Sequence, residues 1–307
     1  MPVVAALVTV LLWSSAFVGI RSAGHDLSAG SLTLARIAVA SVVLGIIVLA
    51  RHEKLPPRRD VARIVFCGLL WLGAYNLMLN AAEQRVDAGT AAMLVNVGPV
   101  LIALMAGWLL KEGFPRNLVV GCGIAFAGAI VIGMATRSQS KDAALGALLC
   151  LGAALAYAVA VVLQKPLLDR TSGLMITFLF CSVATIACLP FAPGLVHDAR
   201  HASGGTLAWA VYLGAAPTAT GFVTWAYALR HTSAGKMGAT TYLVPPLAIL
   251  QGWVFLGETP PALAFAGGAL CLVGVALTRG LRLTTLSEAW VGFRSRTGRA
   301  AAATKTS

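Results

Sequence analysis

The chain has 307 residues, of which 58% belong to the apolar set AVILMFWYC and only 11% are charged. A soluble domain carries about 25% charged residues, so this composition, with a mean hydropathy of +0.84, excludes a cytosolic enzyme, a disordered chain, a nucleic-acid binder and a small disulfide scaffold. What remains is an integral membrane protein, in which a net charge of +12 reads as Lys and Arg gathered in cytoplasmic loops.

A membrane-spanning helix needs about 20 apolar residues. The continuous apolar runs at 118–135 and 145–163 lack the alternation of β-barrel strands, so the chain is expected to be all-α. Its predicted spans, in order, are 3–21, 30–50, 62–82, 88–110, 116–135, 143–164, 173–192, 206–228, 234–256 and 261–279. Charged and Pro-containing stretches separate them. The first apolar run has no basic leader before it and no small-residue cleavage site after it, so it is expected to stay as a span. Residues 281–307 form a basic tail and are expected to be disordered. All six cysteines lie in apolar runs without ligand spacing and read as small core residues.

With the N-terminus inside, 17 of the 23 Lys and Arg fall in inner segments and five in outer ones, leaving Arg36 within a span. This asymmetry predicts both termini in the cytoplasm. The chain also repeats itself at an offset of 146 residues. Residues 88–133 align without gaps on 234–279, matching Ala88/Ala234, Gly89/Gly235, Pro99/Pro245, Glu112/Glu258, Pro115/Pro261, Gly121/Gly267 and Gly128/Gly274. A helix proline at one depth in both copies argues for duplication. Five spans per copy is odd, so the copies lie inverted in the bilayer, as in secondary transporters, whose site lies near the midplane between the halves. The expected units are residues 1–135 and 143–280.

The repeated segments also carry a resemblance. Ala88–Pro115 reads AGTAAMLVNVGPVLIALMAGWLLKEGFP and Ala234–Pro261 reads AGKMGATTYLVPPLAILQGWVFLGETPP. They resemble the fourth and ninth spans of the EamA family of the drug/metabolite transporter superfamily: an A-G start, a mid-helix Pro, then L-x-E before a short turn. LLWSSAFVGIR at Leu11–Arg21 resembles the first span and LARIAVA at Leu34–Ala40 the second. The resemblance covers residues 3–280. It implies a ten-helix carrier that moves small metabolites, often outward, across the bacterial inner membrane. The second copy departs from the first: the region of Tyr157 lacks the Trp–Ser pair, and 173–192 has no counterpart of Arg36. The site should therefore be asymmetric.

Candidate transport residues follow from depth and type. Pro99 and Pro245, with Pro246 beside the latter, read either as hinges that line the site or as static kinks. Arg36 holds a substrate carboxylate or ties carbonyls within the fold. Trp13 and Ser14 line a cavity or pack. Asn76 and Asn80 share one helix face, which points at a cavity or clasps a neighbouring helix. Tyr75, Asn96, Tyr157, Trp225, Tyr227 and Tyr242 complete a substrate-binding set of aromatics, hydroxyls and amides, expected to contain no acid. Glu112 and Glu258 end the matched spans as anchors or gate ends.

No Walker motif, HExxH or Ser/His/Asp constellation is present in the sequence, so neither an enzyme nor a cofactor is expected. The expected partners are a small-molecule substrate and the lipid bilayer, with no nucleic acid. The leading reading is a secondary exporter of a small polar or zwitterionic metabolite, such as an amino acid. Efflux of drug-like or aromatic compounds is the alternative, and a lipid flippase ranks lower.

Overall fold

The computed structural model describes residues 1–85, 91, 94–135, 143–257 and 262–278; Glu258 lies outside them. The described residues form helices and turns with no strand. The first helices are α1 (Pro2–Ala23), α2 (Ala29–Ala50), α3 (Arg58–Cys67), α4 (Asn76–Glu83), α5 (Gly98–Leu109), α6 (Arg116–Ala135) and α7 (Ala143–Gln164). They are followed by α8 (Gly173–Cys188), α9 (Ala192–His201), α10 (Gly204–Leu213), α11 (Gly221–Arg230), α12 (Ala234–Thr240), α13 (Val244–Leu256) and α14 (Ala262–Thr278). Among the described residues, five continuous helices are long and apolar enough to cross a membrane: Pro2–Ala23, Ala29–Ala50, Arg58–Glu83, Ala144–Asp169 and Gly173–His201. At a rise of 1.5 Å per residue, 22 residues reach about 33 Å, enough for a hydrocarbon core of about 30 Å. Gly98–Leu109, Arg116–Val131 and Phe265–Thr278 are shorter apolar helices.

Two rods are continuous but not regular. A π-helical turn, Gly68–Tyr75, joins α3 to α4, and another, Gly214–Thr220 with Pro217 inside, joins α10 to α11. The two turns begin at the 146-residue offset of the sequence repeat. The prolines of the repeated segments do not lie within unbroken helices, as the sequence suggests. Pro99 sits in the first turn of α5, after a tight turn at Asn96–Val97. Pro245 and Pro246 open α13, after a 3₁₀ turn at Thr241–Leu243. Proline lacks an N–H and clashes with the preceding turn, so a helix start is where it fits best.

Close packing rests on glycine. α6 and α14 cross so tightly that a Cβ on Gly128 would lie 2.6 Å from the Gly267 carbonyl oxygen, and one on Gly274 2.5 Å from the Ala125 nitrogen. The lining atoms are backbone and cannot yield, which is how small residues bring apolar helices together without a hydrophobic drive between them. Large apolar side chains such as Leu49, Trp108, Val254 and Phe255 point outward, giving the lipid-facing surface that such helices require.

Polar contacts gather the connections at two ends. At one end the Arg170 guanidinium grips Asp60 through Nε (2.8 Å) and Nη2 (2.7 Å), and the Ser172 hydroxyl donates to Glu53 (2.6 Å). Lys165 Nζ caps α11 there by donating to the Leu229 (2.5 Å) and Thr232 (2.6 Å) carbonyls. At the opposite end Asp26 accepts from the Thr206 hydroxyl (2.5 Å) and the Ser203 N–H (3.2 Å), while Asp198 accepts from the Ser28 N–H (3.1 Å).

The bond from the Thr206 hydroxyl, then that from the Ser203 N–H, hold Asp26 below the ordinary carboxylate value. Its contribution to stability is therefore present above that value, about 3.9, and is lost as pH falls through the lower folded one. Asp26→Asn should unfold at a lower temperature than wild type in detergent at pH 6–8, and the two curves should approach each other as pH falls below the ordinary carboxylate value of about 3.9. Gly128→Leu should destabilise by at least the 1–3 kcal/mol typical of overpacking, read as loss of the folded peak in size-exclusion chromatography or a lowered Tm.

Candidate substrate site

The central cleft is lined by one face of α1, the π turn and α4, and the head of α5. α1 presents Trp13, Ala16, Phe17 and Ile20, a spacing of three and four that places them on one helix face. The π turn and α4 present Trp71, Tyr75, Asn76 and Leu79, and the turn before α5 presents Asn96 and Pro99. Tyr157 from α7 and Phe222 from α11 close the other side. Counted out to its open mouth, solvent included, the cleft encloses about 700 Å³.

Its floor is a cluster of rings. Trp13 stacks on Trp225 with centroids 4.9 Å apart, Trp71 meets Phe222 at 4.8 Å, and Trp71 meets Tyr157 at 5.5 Å. Such offset and tilted pairs are each worth about 0.5–1.5 kcal/mol beyond their burial. Gly98 makes room for this packing, since a Cβ there would sit 2.8 Å from the Tyr157 ring. From the floor the cleft runs past Phe17, Ile20 and Leu79 toward the Asp26 end.

Arg36 is the one charged residue among the described lining residues. It is only 4% exposed, and its Nε donates to the Thr218 hydroxyl at 3.2 Å. Thr218 in turn donates to the Leu213 carbonyl five residues back (2.7 Å), a bond the π turn makes available. Gly214 lets α2 press against this turn, since a Cβ there would lie 2.6 Å from the Arg36 carbonyl. Among the described residues, no acceptor takes a bond from the terminal amino groups of Arg36. A buried guanidinium carries five donors, so this one is held by a single bond and presents its fork to the cleft.

The other predicted residues fall in several places. Asn76 lines the cleft while its amide donates to the Leu72 (3.0 Å) and Trp71 (3.3 Å) carbonyls of the π turn. Asn80 is one turn further along, donating to Thr33 Oγ1 (2.8 Å). Ser14 faces away from the cleft, donating to the Leu11 carbonyl (2.8 Å) and accepting from Gln251 (3.0 Å). Trp225 supports the floor from beneath Trp13. Tyr242 is buried with α6 and α14, apart from the lining, and Tyr227 is 42% exposed with its ring on His231. Pro99 lines the cleft, whereas Pro245 and Pro246 do not. Glu112 receives the Ala234 N–H on Oε1 (2.8 Å) and the Gly235 N–H on Oε2 (3.2 Å). It therefore pins the start of α12, so that the A-G start of one repeated segment meets the glutamate of the other.

Trp71, Phe17, Phe222 and Val95 also line the cleft and have no distinguishing mark in the sequence. No acid lines the cleft among the described residues, and Glu83 stands at a span end. The rod Arg58–Glu83 continues one residue past the predicted end, and Glu83 Oε1 is buried without a hydrogen-bond partner among the described residues.

The EamA-like transporter family model matches residues 1–134 and again 144–280. A protein of Streptantibioticus cattleyicolor named "Probable terminal-alkyne amino-acid exporter" is 37% identical over 93% of this chain and 95% of its own length. A Salmonella typhimurium protein named "Probable amino-acid metabolite efflux pump" is 23% identical over 88% of this chain and 92% of its own. One crystal structure superposes with a TM-score of 0.74 at 21% identity, covering 90% of this chain and 95% of the other. That likeness extends to the fold. On its own residues and on the match across both halves, the chain belongs to the EamA-like transporter family.

Proposed function

We propose that this protein is a secondary exporter of a small zwitterionic metabolite of the amino-acid type in the bacterial inner membrane. The carrying observation is Arg36, a buried cation whose free donors open into an otherwise neutral aromatic cleft. A guanidinium fork matches a carboxylate bidentately, and a substrate carboxylate would supply the acceptors that the protein does not. The rings of Trp13, Trp71 and Phe222 then take the substrate's side chain. The names of the two relatives, an amino-acid exporter and an amino-acid metabolite efflux pump, agree with this substrate class.

In this reading the chain spans ten times, as two inverted five-helix units at 1–135 and 143–280, with both termini and the basic tail in the cytoplasm. The matching π turns and the two proline-led helices at the 146-residue offset support it. So does the sorting of polar contacts into two ends. The Arg170 end is cytoplasmic, and the described arrangement faces outward: the cleft runs toward the Asp26 end, while the ring floor and the Glu112 and Lys165 ties seal the inner side. Alternating access rocks the units at the breaks before Pro99 and Pro245, with Glu112 and Glu258 as gate ends. Efflux of aromatic compounds is a second reading, favoured by the same ring cluster.

Purified protein should be heated in the presence of amino acids, amines, sugars and hydrophobic drugs, since a binder stabilises the folded state by mass action. An amino acid should raise the Tm, and Arg36→Gln should weaken its binding about 10–100-fold, the weight of a hydrogen bond to a charged group. Trp13→Ala should weaken amino acids with apolar side chains most. Stabilisation by hydrophobic drugs alone would favour the second reading.

A further inference from the structure

A second polar cluster lies one turn beyond Asn76, and the proposed transport reading makes no use of it. Asn76, Asn80 and Glu83 are spaced by four and three along α4 and so share a face. That face meets α2, where Thr33 and Arg36 are three apart and point the same way. Thr33 spends its hydroxyl hydrogen on the Ala29 carbonyl (2.7 Å), so toward Asn80 it can only accept, and Asn80 must present its amide nitrogen (2.8 Å). This fixes the amide orientation and leaves Asn80 Oδ1 buried with no donor among the described residues. Glu83 Oε1, three residues on, is equally unpartnered. Two acceptors thus stand without donors, while Arg36 on the facing helix has donors without acceptors.

Glu83 feels the charges of Arg36 and of Arg21, and Tyr75 on its own rod and Cys150 on α7 are near enough to sense it. Yet Glu83 and Arg36 form no ion pair. Leaving the Arg36 terminal donors and the buried Glu83 Oε1 unmet is costly, because a buried polar group needs hydrogen bonds. A direct ion pair would meet that need and would close the site to substrate. A molecule bearing both charges meets it equally well.

Building on the amino-acid reading, we infer that Asn80 Oδ1 and Glu83 form an ammonium site, which takes the α-amino group while Arg36 takes the carboxylate. An ammonium has three donors and no acceptor, which fits an amide oxygen beside a carboxylate. The pair makes the carrier selective for zwitterions. A simple carboxylic acid leaves Glu83 unmet, a simple amine leaves Arg36 unmet, and unpaired buried groups reject the analogue that lacks their partner.

Binding to the full-length purified protein tests this with three probes: the amino acid that stabilises wild type most, its 2-hydroxy analogue and its decarboxylated amine. Wild type should bind the amino acid at least about tenfold more tightly than either analogue. Glu83→Gln should weaken the amino acid about tenfold and leave the 2-hydroxy acid within twofold, which also shows that the variant is folded. Arg36→Gln should spare the amine. Equal affinity of wild type for the amino acid and its 2-hydroxy analogue overturns the inference without using any variant and leaves the carboxylate-binding carrier intact. Equal loss of both in Glu83→Gln assigns Glu83 a supporting role and likewise overturns it. Failure of wild type to bind any amino acid overturns the transport reading and this one together.

Discussion

In hydrocarbon, a polar group that is not satisfied inside the protein is not satisfied at all, and the rest of this structure is arranged around that constraint. Most hydroxyls answer it locally. Thr9, Ser22, Thr33, Thr177 and Ser182 each return a bond to the carbonyl four residues back. The polar ends answer it with capping: Ser28, Ser172, Ser203 and Ser233 each accept from the N–H three residues on and start α2, α8, α10 and α12. Groups that are not answered therefore stand out. Among them are Asn80 Oδ1 and Glu83 Oε1 on α4, across from Arg36, whose guanidinium makes one bond, to Thr218.

The irregular backbone follows from the same constraint. A π turn shifts hydrogen bonding by one residue and leaves carbonyls to be met by side chains. Asn76 meets those of the first turn, and Thr218 and Thr220 meet those of the second through the Leu213 and Ala215 carbonyls. These are not incidental repairs. The first turn brings Trp71 and Tyr75 to the cleft from a rod whose regular 3.6-residue pattern would splay them differently. The second turns Thr218 inward to hold Arg36. Each irregularity thus aims a residue that the cleft needs, and the neighbouring helix, pressed close by Gly214, keeps it there.

The all-helical class and the repeat were legible because composition and spacing carry them directly. Buried polar residues were legible in part, since Arg36, Asn76 and Asn96 are costly at membrane depth and cost marks them. Aromatic residues were legible unevenly: Trp13, Tyr75 and Tyr157 line the cleft, but Trp71, Phe17 and Phe222 line it without a mark. Trp71 is 1% exposed and Trp108 is 80% exposed, yet in sequence both are tryptophans in an apolar run, because lipid and protein core present the same solvent to a ring. Phe17 and Phe222 went unmarked for that reason. Tyr227 and Tyr242 illustrate the converse: a polar handle on a ring signals a partner somewhere, not a cavity.

The asymmetry between the halves has a physical sense. A duplicated scaffold gives two π turns and two proline-led helices at one offset, but an asymmetric substrate cannot be held by two identical half-sites. The first copy carries the charged and amide residues Arg36, Asn76, Asn80, Glu83 and Asn96. The second supplies Thr218 to brace the guanidinium, Phe222 and Trp225 to build the floor, and Ala234 and Gly235 to receive Glu112. Polar ligands confined to one wall cost desolvation once, whereas a second set opposite would add a charge that the single substrate could not meet. What duplication keeps is the backbone geometry, two π turns and two proline-led helices at one offset, and what divergence removes is the surplus chemistry.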